Sequence, residues 1–182
     1  MYEPDPEFAY DRARLEDVAR LTPADFVPHP ELDLLAAMAA SYFDQEIGLV
    51  NLALSDAVWF AGSYGLGEWL SCQAGVPLEW LSNTDKAGSG EPFSLGDIGQ
   101  GGVDDLLMQH ESVRSYAGAP MISPEGRVVG SCYVMGREPR SFSVDELDDL
   151  TGMTHLALAV LQMPDDRAKH RHPCNARRRT LA

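Results

Sequence analysis

The sequence predicts an α/β domain of the α+β type, with a central antiparallel β-sheet, helices packed on one face and a loop-walled pocket on the other. The first observation behind this prediction is a β-hairpin over residues 115–135, in which two apolar runs flank a turn at 123–126. Pro124 presets φ at the first corner of that turn, and Gly126 accepts a positive φ near its end. The second observation is that both faces of the returning strand are mostly apolar, which is typical of a strand inside a sheet covered on both sides.

Alternation along the returning strand assigns its side chains to two faces, because successive residues of a strand point to opposite sides. One face is expected to carry Val129, Ser131, Tyr133 and Met135. The other face is expected to carry Val128, Gly130, Cys132 and Val134.

Two helices are predicted before the first strand. Residues 7–21 have loosely helical apolar spacing, and this helix should end before Pro23. A second helix should start near Pro30, because the following apolar residues recur at the three-and-four spacing of one buried face. These residues are Leu32, Leu35, Ala36, Ala39, Tyr42 and Phe43.

A second hairpin is predicted from two β-rich runs, residues 47–54 and 57–63, which are separated by two polar residues. Trp59 and Phe60 should point to opposite faces, so that one packs on a helix and the other faces the pocket side. The next segment, 62–90, is rich in glycine and polar turn residues. It is expected to be a long, partly ordered excursion rather than a regular element, and such loops are often functional.

Shorter elements complete the order: a strand at 93–95, a short helix at 103–110 and a final helix after residue 143. Ser143 and Glu146 have the spacing of a capping box at the start of the final helix. One apolar stripe of this helix is formed by Leu147, Leu150, Thr154, Leu158 and Leu161. Further apolar residues lie off that stripe, namely Met153, Leu156 and Val160. An apolar surface on more than one side predicts a second packing partner for the helix.

Charge limits the functions that the chain can serve. The 182 residues suit one domain with terminal extensions, and their formal charge is -14. Residues 1–162 contain 8 Lys and Arg against 26 Asp and Glu, a net charge of -18, whereas residues 163–182 contain 6 against 2, a net charge of +4. A body this acidic argues against nucleic acid as a main partner, because phosphate backbones need a basic surface.

Cysteine usage and hydropathy predict a cytoplasmic location. Cys72, Cys132 and Cys174 have no metal-type spacing, and their odd number fits a reducing compartment. The first residues lack the basic and apolar regions of a signal peptide, and no run has the length of a membrane span. The basic residues 163–182 have a composition typical of disorder.

The motifs around the central hairpin resemble those of GAF domains. They are Tyr-Ala-Gly-Ala-Pro at 116–120, the Pro-x-Gly turn, Val-x-Gly-Ser at 128–131 and Arg-x-Pro-Arg at 137–140. With the flanking elements in the same order, the resemblance to a single, bacterial-type GAF domain covers residues 29–162. It leaves residues 1–28 as an N-terminal helical extension and 163–182 as a tail. The resemblance implies a regulatory sensor and a homodimer through terminal helices, but it fixes no ligand, because GAF-like domains bind cyclic nucleotides, bilins, haem, small metabolites or nothing known.

The resemblance also locates a candidate pocket loop, in which related domains commonly carry a Cys and, two residues later, a His. Asn83 and Asp85 occupy these positions, so that thiol or imidazole chemistry is not carried over. With Lys86 they offer amide, carboxylate and ammonium groups to a polar ligand. Alternatively, residues 82–85 simply cap a helix.

Other candidate ligand-binding residues are large or reactive side chains near the same loop: Trp69, Cys72, Trp80, Tyr116 and Met121. The aromatic ones, with Trp59, suit a flat ligand, although ordinary core packing is the favoured role for Trp59 and Tyr116. A partly exposed Cys72 would be able to sense oxidation. Cys132, inside a central strand, is expected to be a buried small hydrophobe.

Three functions remain open. The first is a non-enzymatic sensor that binds a small molecule or senses redox state and acts on a separate signalling partner. The second is a ligand-free dimerisation or docking scaffold. The third is a GAF-like methionine sulfoxide reductase that depends on Cys72. No covalent bilin is expected, because no cysteine is followed by histidine, and the spacing of His170, His172 and Cys174 is weak support for a metal.

Overall fold

The computed structural model describes residues 6–23, 26–80, 88–99 and 106–163. Its six strands form one antiparallel sheet in the order β3-β2-β1-β6-β5-β4. The strands are β1 (Ile47–Ala53), β2 (Ala57–Tyr64), β3 (Gly75–Pro77), β4 (Phe93–Leu95), β5 (Ser115–Ile122) and β6 (Val128–Gly136). Both predicted hairpins and the short strand at 93–95 are confirmed, as is the α+β fold class.

Six helices accompany the sheet in the described residues: α1 (Pro6–Tyr10), α2 (Arg12–Leu21), α3 (Pro30–Tyr42), α4 (Glu68–Ser71), α5 (Leu106–His110) and α6 (Val144–Leu161). A 3₁₀ turn covers Leu78–Trp80. The capping box that starts α6 is present, because Ser143 and Glu146 each bond the other's backbone N–H. Among the described residues, no helix is long and apolar enough to cross a membrane.

The sheet separates two cores. The helical face packs against α2, α3 and α6, and its buried members include Leu32, Trp59 and Leu150. The loop face packs against α1, α4 and α5, and its buried members include Phe60 and Tyr116. Trp59 and Phe60 therefore do point to opposite faces, as predicted.

Helix α3 lies on the backbone of the sheet without side chains in between. A Cβ added to Gly48 of β1 would lie 2.0 Å from the carbonyl oxygen of Ala36, and one added to Gly62 of β2 would lie 2.3 Å from the carbonyl carbon of Leu32. Only glycine permits this approach, so the two strands and α3 form one tightly packed unit.

The N-terminal extension differs from the single helix predicted over 7–21. Asp11 interrupts it, because its side chain accepts from the backbone N–H of Ala13 at 2.9 Å and caps a new helix, α2. The two helices lie on opposite faces of the sheet: Ala9 of α1 is buried in the loop-face core, and Val18 of α2 is buried in the helical-face core. The extension therefore passes around one end of the sheet.

Arg14 fixes this extension to the end of the sheet. Its buried guanidinium donates to the carbonyl oxygens of Phe8 at 2.8 Å, Ala9 at 3.2 Å, Ala53 at 2.6 Å and Leu54 at 3.3 Å. One side chain thus joins the end of α1 to the turn between β1 and β2.

Two further expectations were wrong in detail. Residues 62–90 contain β3, which pairs with β2 and extends the sheet, so that this segment is not only an irregular excursion. Val129 lies on the helical face with Cys132 and Val134, because Ile122 pairs with Val128 and Met121 pairs with Gly130, which leaves Val129 as a β-bulge. The bulge reverses the alternation before Gly130.

Candidate functional site

The centre of the loop face contains a polar pair within apolar strands. Asn51 of β1 lies opposite Ser131 of β6, and its neighbour on β2 is Phe60, which is a loop-face residue. Asn51 is only 2% exposed, and its Oδ1 accepts a hydrogen bond from Ser131 Oγ at 3.3 Å. Within the described part of the chain, Asn51 Nδ2 has no hydrogen-bond partner. A buried donor without an acceptor costs about 1–3 kcal/mol, so this amide is a place where a ligand acceptor would bind favourably.

Three aromatic rings cover the adjacent part of the loop face. Phe93 packs edge-on against Tyr116 and Tyr133, with ring centroids 6.0 and 5.9 Å apart. A Cβ at Gly118 would lie 2.7 Å from Cε1 of Tyr133 and 2.9 Å from Cζ of Phe93. The rings therefore rest directly on the strand backbone, and Tyr116 is fully buried among them.

Trp69, Trp80 and His110 form a second aromatic group, which we call the tryptophan shelf. The Trp69 and Trp80 rings stack with centroids 5.9 Å apart and an interplanar angle of 22°, and Trp69 lies 4.9 Å from the His110 ring. Trp80 also packs against the loop-face core. Cys72 ends α4 close to the shelf in sequence and is exposed.

The structure therefore brings together only some of the predicted ligand-binding residues. Trp80 and Tyr116 both contact the loop-face core, and Trp69 stacks on Trp80. Met121 lies instead in the helical-face core, because it is an odd number of residues from Tyr116 along β5, so that the sheet separates the two side chains. The predicted residues Asn83, Asp85 and Lys86 lie outside the described residues.

Glu111 holds α4 beside α5. Its buried carboxylate accepts from the N–H of Gly67, which is the N-cap of α4, at 2.9 and 3.0 Å, and it bonds Arg137 Nη2 at 3.3 Å. His110 Nδ1 lies 3.6 Å from the same carboxylate. The short helix that carries Trp69 is therefore anchored to the end of β6 through one acidic side chain.

A cavity of about 490 Å³ lies at the end of the sheet where α2 meets the β5–β6 turn. Asp17 is the buried carboxylate in its wall, and it accepts from Arg127 Nε and Ser123 Oγ, each at 2.8 Å, and from Arg20. The hydrogen bond from Arg127 is the main reason that the pKa of Asp17 lies below its ordinary value. Asp17, Arg20, Ser123 and Arg127 thus already bond one another. These bonds join α2 to the β5–β6 turn, so the cavity belongs to the attachment of α2.

The thiols and acidic groups do not form a metal centre in the described residues, where no group of three or more His, Cys, Asp or Glu side chains is arranged to hold a metal ion. Burial raises the pKa of the Cys132 thiol to about 12, which agrees with its predicted role as a buried hydrophobe. Cys174, His170 and His172 lie outside the described residues.

Asn51, Ser131 and Glu111 were not among the sequence candidates. One signal pointed to Asn51: it is the only strongly polar residue in the run Ile-Gly-Leu-Val-Asn-Leu-Ala-Leu at 47–54. Polar residues in a strand buried on both faces need a hydrogen-bonding reason to be there. No comparable sequence signal distinguishes Glu111 from the other acidic residues.

Comparisons with known proteins support a single family. A family model described as the GAF domain matches residues 28–161. A comparison with curated proteins found no match. Among solved structures, the blue-light absorbing form of the PixJ GAF domain of Thermosynechococcus elongatus is 15% identical, with a TM-score of 0.57 and coverage of 84% of this chain and 89% of that chain.

Two further structures have comparable similarity. One is a domain of a two-component sensor histidine kinase protein from Sinorhizobium meliloti, at 14% identity and a TM-score of 0.56, covering 80% of this chain and 100% of that chain. The other is the GAF domain of an Acinetobacter phosphoenolpyruvate-protein phosphotransferase, at 18% identity and a TM-score of 0.53, covering 82% and 97%. At these identities the structures establish the fold, and the family match establishes membership. The chain belongs to the GAF domain family.

Proposed function

We propose that this chain is a non-enzymatic sensory or regulatory GAF domain that binds a small molecule on its loop face, with the Asn51 amide as a polar anchor. The observation that carries the proposal is the buried Nδ2 of Asn51, which has no hydrogen-bond partner within the described residues. An orphaned donor at the middle of a sheet is costly, and a ligand acceptor at this point would remove the cost. The similarity to the blue-light absorbing PixJ GAF domain and to the sensor histidine kinase domain supports the same class of function.

The chemistry of the site favours a ligand with one acceptor and a largely apolar or aromatic body. Asn51 supplies the donor, and Ser131 Oγ, which already donates to Asn51 Oδ1, keeps the amide in one orientation. The surrounding loop face is apolar and aromatic, as at Phe60 and Tyr133. Sites with few polar groups in apolar walls are typical of small-molecule binding. We retain Asn83, Asp85 and Lys86 as predicted contributors from the segment that follows Trp80.

Native mass spectrometry of the purified full chain tests this proposal. We expect an added mass that is lost on denaturation, and we expect Asn51→Leu, which removes the donor but keeps the side-chain volume, to lose it. Thr154→Val is the matched control, because Thr154 is an equally buried polar residue of α6, which packs on the helical face. Wild-type protein without any added mass, or an Asn51→Leu variant that retains it, would argue against this ligand site.

A ligand-free scaffold is the second candidate, and the packing around Gly118 favours it. The rings of Phe93 and Tyr133 already fill the space over that glycine. If the loop face holds only its own side chains, Asn51→Leu combined with Ser131→Ala should raise the unfolding temperature, because the double variant removes the unpaired buried amide without leaving the Ser131 hydroxyl unbonded. If a ligand is bound, the same variant should lower it, because the stabilisation from binding is lost.

A homodimer through the helical layer is part of the proposed function. Leu34, Met38 and Tyr42 form a stripe on α3 at intervals of four residues, and each is more than half exposed. The stripe continues onto α6, because the Tyr42 hydroxyl donates to Asp149 Oδ2 at 2.7 Å and Leu156 is also more than half exposed. Helix α3 carries no charge after Asp33, and helices that are apolar on all sides are normally buried. A second copy of this uncharged face is the partner that we propose.

Sedimentation across micromolar concentrations tests the dimer. We expect Met38→Glu to shift the full chain towards monomer, because it would place two charges in a symmetric apolar interface. Leu106→Glu is the matched control, since Leu106 is similarly exposed but belongs to α5 on the loop face. A wild-type monomer throughout that range would contradict the proposal.

Cys132 is not available as a second catalytic thiol for a thiol-dependent reductase. A thiol whose pKa is about 12 supplies almost no thiolate at neutral pH, and only the thiolate is nucleophilic. Cys72 is the exposed cysteine of the described residues, so it is the one that would sense oxidation. Replacing it with serine separates the two roles: a reductase would lose all activity on a methionine sulfoxide substrate, whereas a ligand sensor would keep its bound mass.

A further inference from the structure

The tryptophan shelf is exposed, whereas Asn51, the anchor of the proposed ligand site, is buried. Trp69 leaves 48% of its surface in solvent, and His110 is also exposed. Leu106, four residues before His110 on the same side of α5, is exposed as well. Two tryptophans, a histidine and a leucine thus present one apolar and aromatic surface on the loop side of the domain.

The loop-face core and Glu111 hold this surface in place. Trp80 packs against the loop-face core and supports the Trp69 ring, which stacks on it. The N-cap of α4 is bonded to the buried carboxylate of Glu111, which fixes the helix that carries Trp69. An aromatic surface that is already ordered loses little conformational entropy when a partner binds.

The charge around the shelf is acidic. Glu68 precedes Trp69, Glu79 precedes Trp80, and both are exposed. The exposed Asp56 is close to the same turn, because its carbonyl oxygen accepts from the N–H of Leu78 at 2.9 Å. Each arginine of the described residues already bonds another carboxylate or a backbone carbonyl. None of these arginines therefore neutralises the acidic groups beside the shelf.

We propose that the tryptophan shelf binds an arginine-rich segment of a protein. A guanidinium is planar and weakly hydrated, so it stacks on an indole face while its N–H groups bond carboxylates. The shelf offers an indole at Trp69 that is 48% exposed, and exposed carboxylates at Glu68 and Glu79, which precede Trp69 and Trp80 in the sequence. Nucleic acid is the wrong match for this acidic surface.

The sequence itself contains a segment of this chemistry, Arg-Arg-Arg at 177–179. The probe that we choose is therefore a fluorescent peptide with the sequence of residues 175–182, Asn-Ala-Arg-Arg-Arg-Thr-Leu-Ala. The receptor is the full chain in which the arginines at 177–179 are replaced by glutamine, so that no arginine run of the chain competes with the probe.

Fluorescence anisotropy measures the binding. We expect the arginine peptide to bind, its glutamine counterpart not to bind, and its lysine counterpart to bind about tenfold more weakly, because an ammonium does not stack in the same way. Trp69→Ala should weaken binding about tenfold, and Glu79→Lys should weaken it without removing a ring. Leu34→Ala on the helical face is the control that should leave binding unchanged.

Equal affinity for the arginine and lysine peptides would overturn the proposal, since it would show simple charge attraction. Full affinity in Trp69→Ala, whose fold is checked by circular dichroism, would overturn it as well. Asn51→Leu should bind the peptide normally, so that failure of this proposal and failure of the proposed ligand site are separate outcomes.

Discussion

Replacing Arg14 should remove more stability than replacing any other arginine of the N-terminal helices. Its guanidinium makes two short bonds, 2.6 Å to Ala53 O and 2.8 Å to Phe8 O, and two longer ones. A hydrogen bond to a charged group contributes about 1.5–3 kcal/mol, so the two short bonds would give about 3–6 kcal/mol. Burial of the charge opposes this gain, and desolvation is the main reason that the pKa of Arg14 is lowered. We therefore expect the lower end, about 3 kcal/mol lost in Arg14→Ala.

Urea unfolding followed by circular dichroism measures that loss. The matched control is Arg12→Ala on the same helix, because the Arg12 side chain is 92% exposed and forms an ion pair with Glu16 at i+4. Such exposed pairs contribute about 0.3–0.5 kcal/mol. A difference between the two variants of less than about 1 kcal/mol would show that the carbonyl bonds of Arg14 do not hold the extension to the sheet.

Three other predictions concern stability and reactivity. The pKa of Asp17 is lowered in the folded chain, so the ionised carboxylate stabilises the fold at any pH above the unfolded pKa of about 4. This stabilisation is lost as the pH falls further. Asp17→Asn should therefore lose less thermal stability than wild type between pH 5 and 3. Gly48→Ala should prevent folding, as measured by circular dichroism, because the added Cβ would lie 2.0 Å from the Ala36 carbonyl oxygen. Gly152→Ala is the control: no atom lies within 4 Å of its added Cβ, so urea unfolding should show α6 stabilised by about 0.5–1 kcal/mol. At pH 8, iodoacetamide should alkylate exposed Cys72 and spare Cys132, as read by peptide mass spectrometry.

The sequence predicted the parts of the fold that depend on local patterns. The turn at 123–126, the buried stripe of α3 and the capping box of α6 are each coded by residues close together in the chain, and all are present except that Tyr42, predicted on the buried stripe, is 61% exposed. The bulge at Val129 and the strand β3 depend on pairing with distant strands, which periodicity along one segment does not record. The break at Asp11 had a local signal, since Asp is a strong N-cap residue, but continuous apolar spacing obscured it.

The candidate site was less predictable than the fold. Large aromatic residues near a loop led to Trp69, Trp80 and Tyr116, and these do lie on the loop side. Their surroundings differ, however, because Tyr116 is fully buried whereas Trp69 is half exposed. Met121, a predicted pocket residue, lies on the helical face instead, because it is five residues from Tyr116 along β5 and successive residues of a strand alternate between faces. Asn51 owes its importance to a missing hydrogen bond, which only three-dimensional packing reveals.

The close contact between the sheet and α3 connects the proposed ligand site to the proposed dimer face. Asn51 and Gly48 belong to the same strand, and the backbone at Gly48 touches that of α3 at Ala36 without an intervening side chain. Two residues beyond Ala36, Met38 is part of the exposed stripe. A ligand that moves β1 would therefore move α3, since close-packed backbones have no soft layer to absorb the shift. Linkage requires the reverse as well, so ligand affinity should depend on dimerisation by the same factor. Met38→Glu should then change the fraction of chains that retain a bound mass, although it lies on the opposite face of the sheet from Asn51.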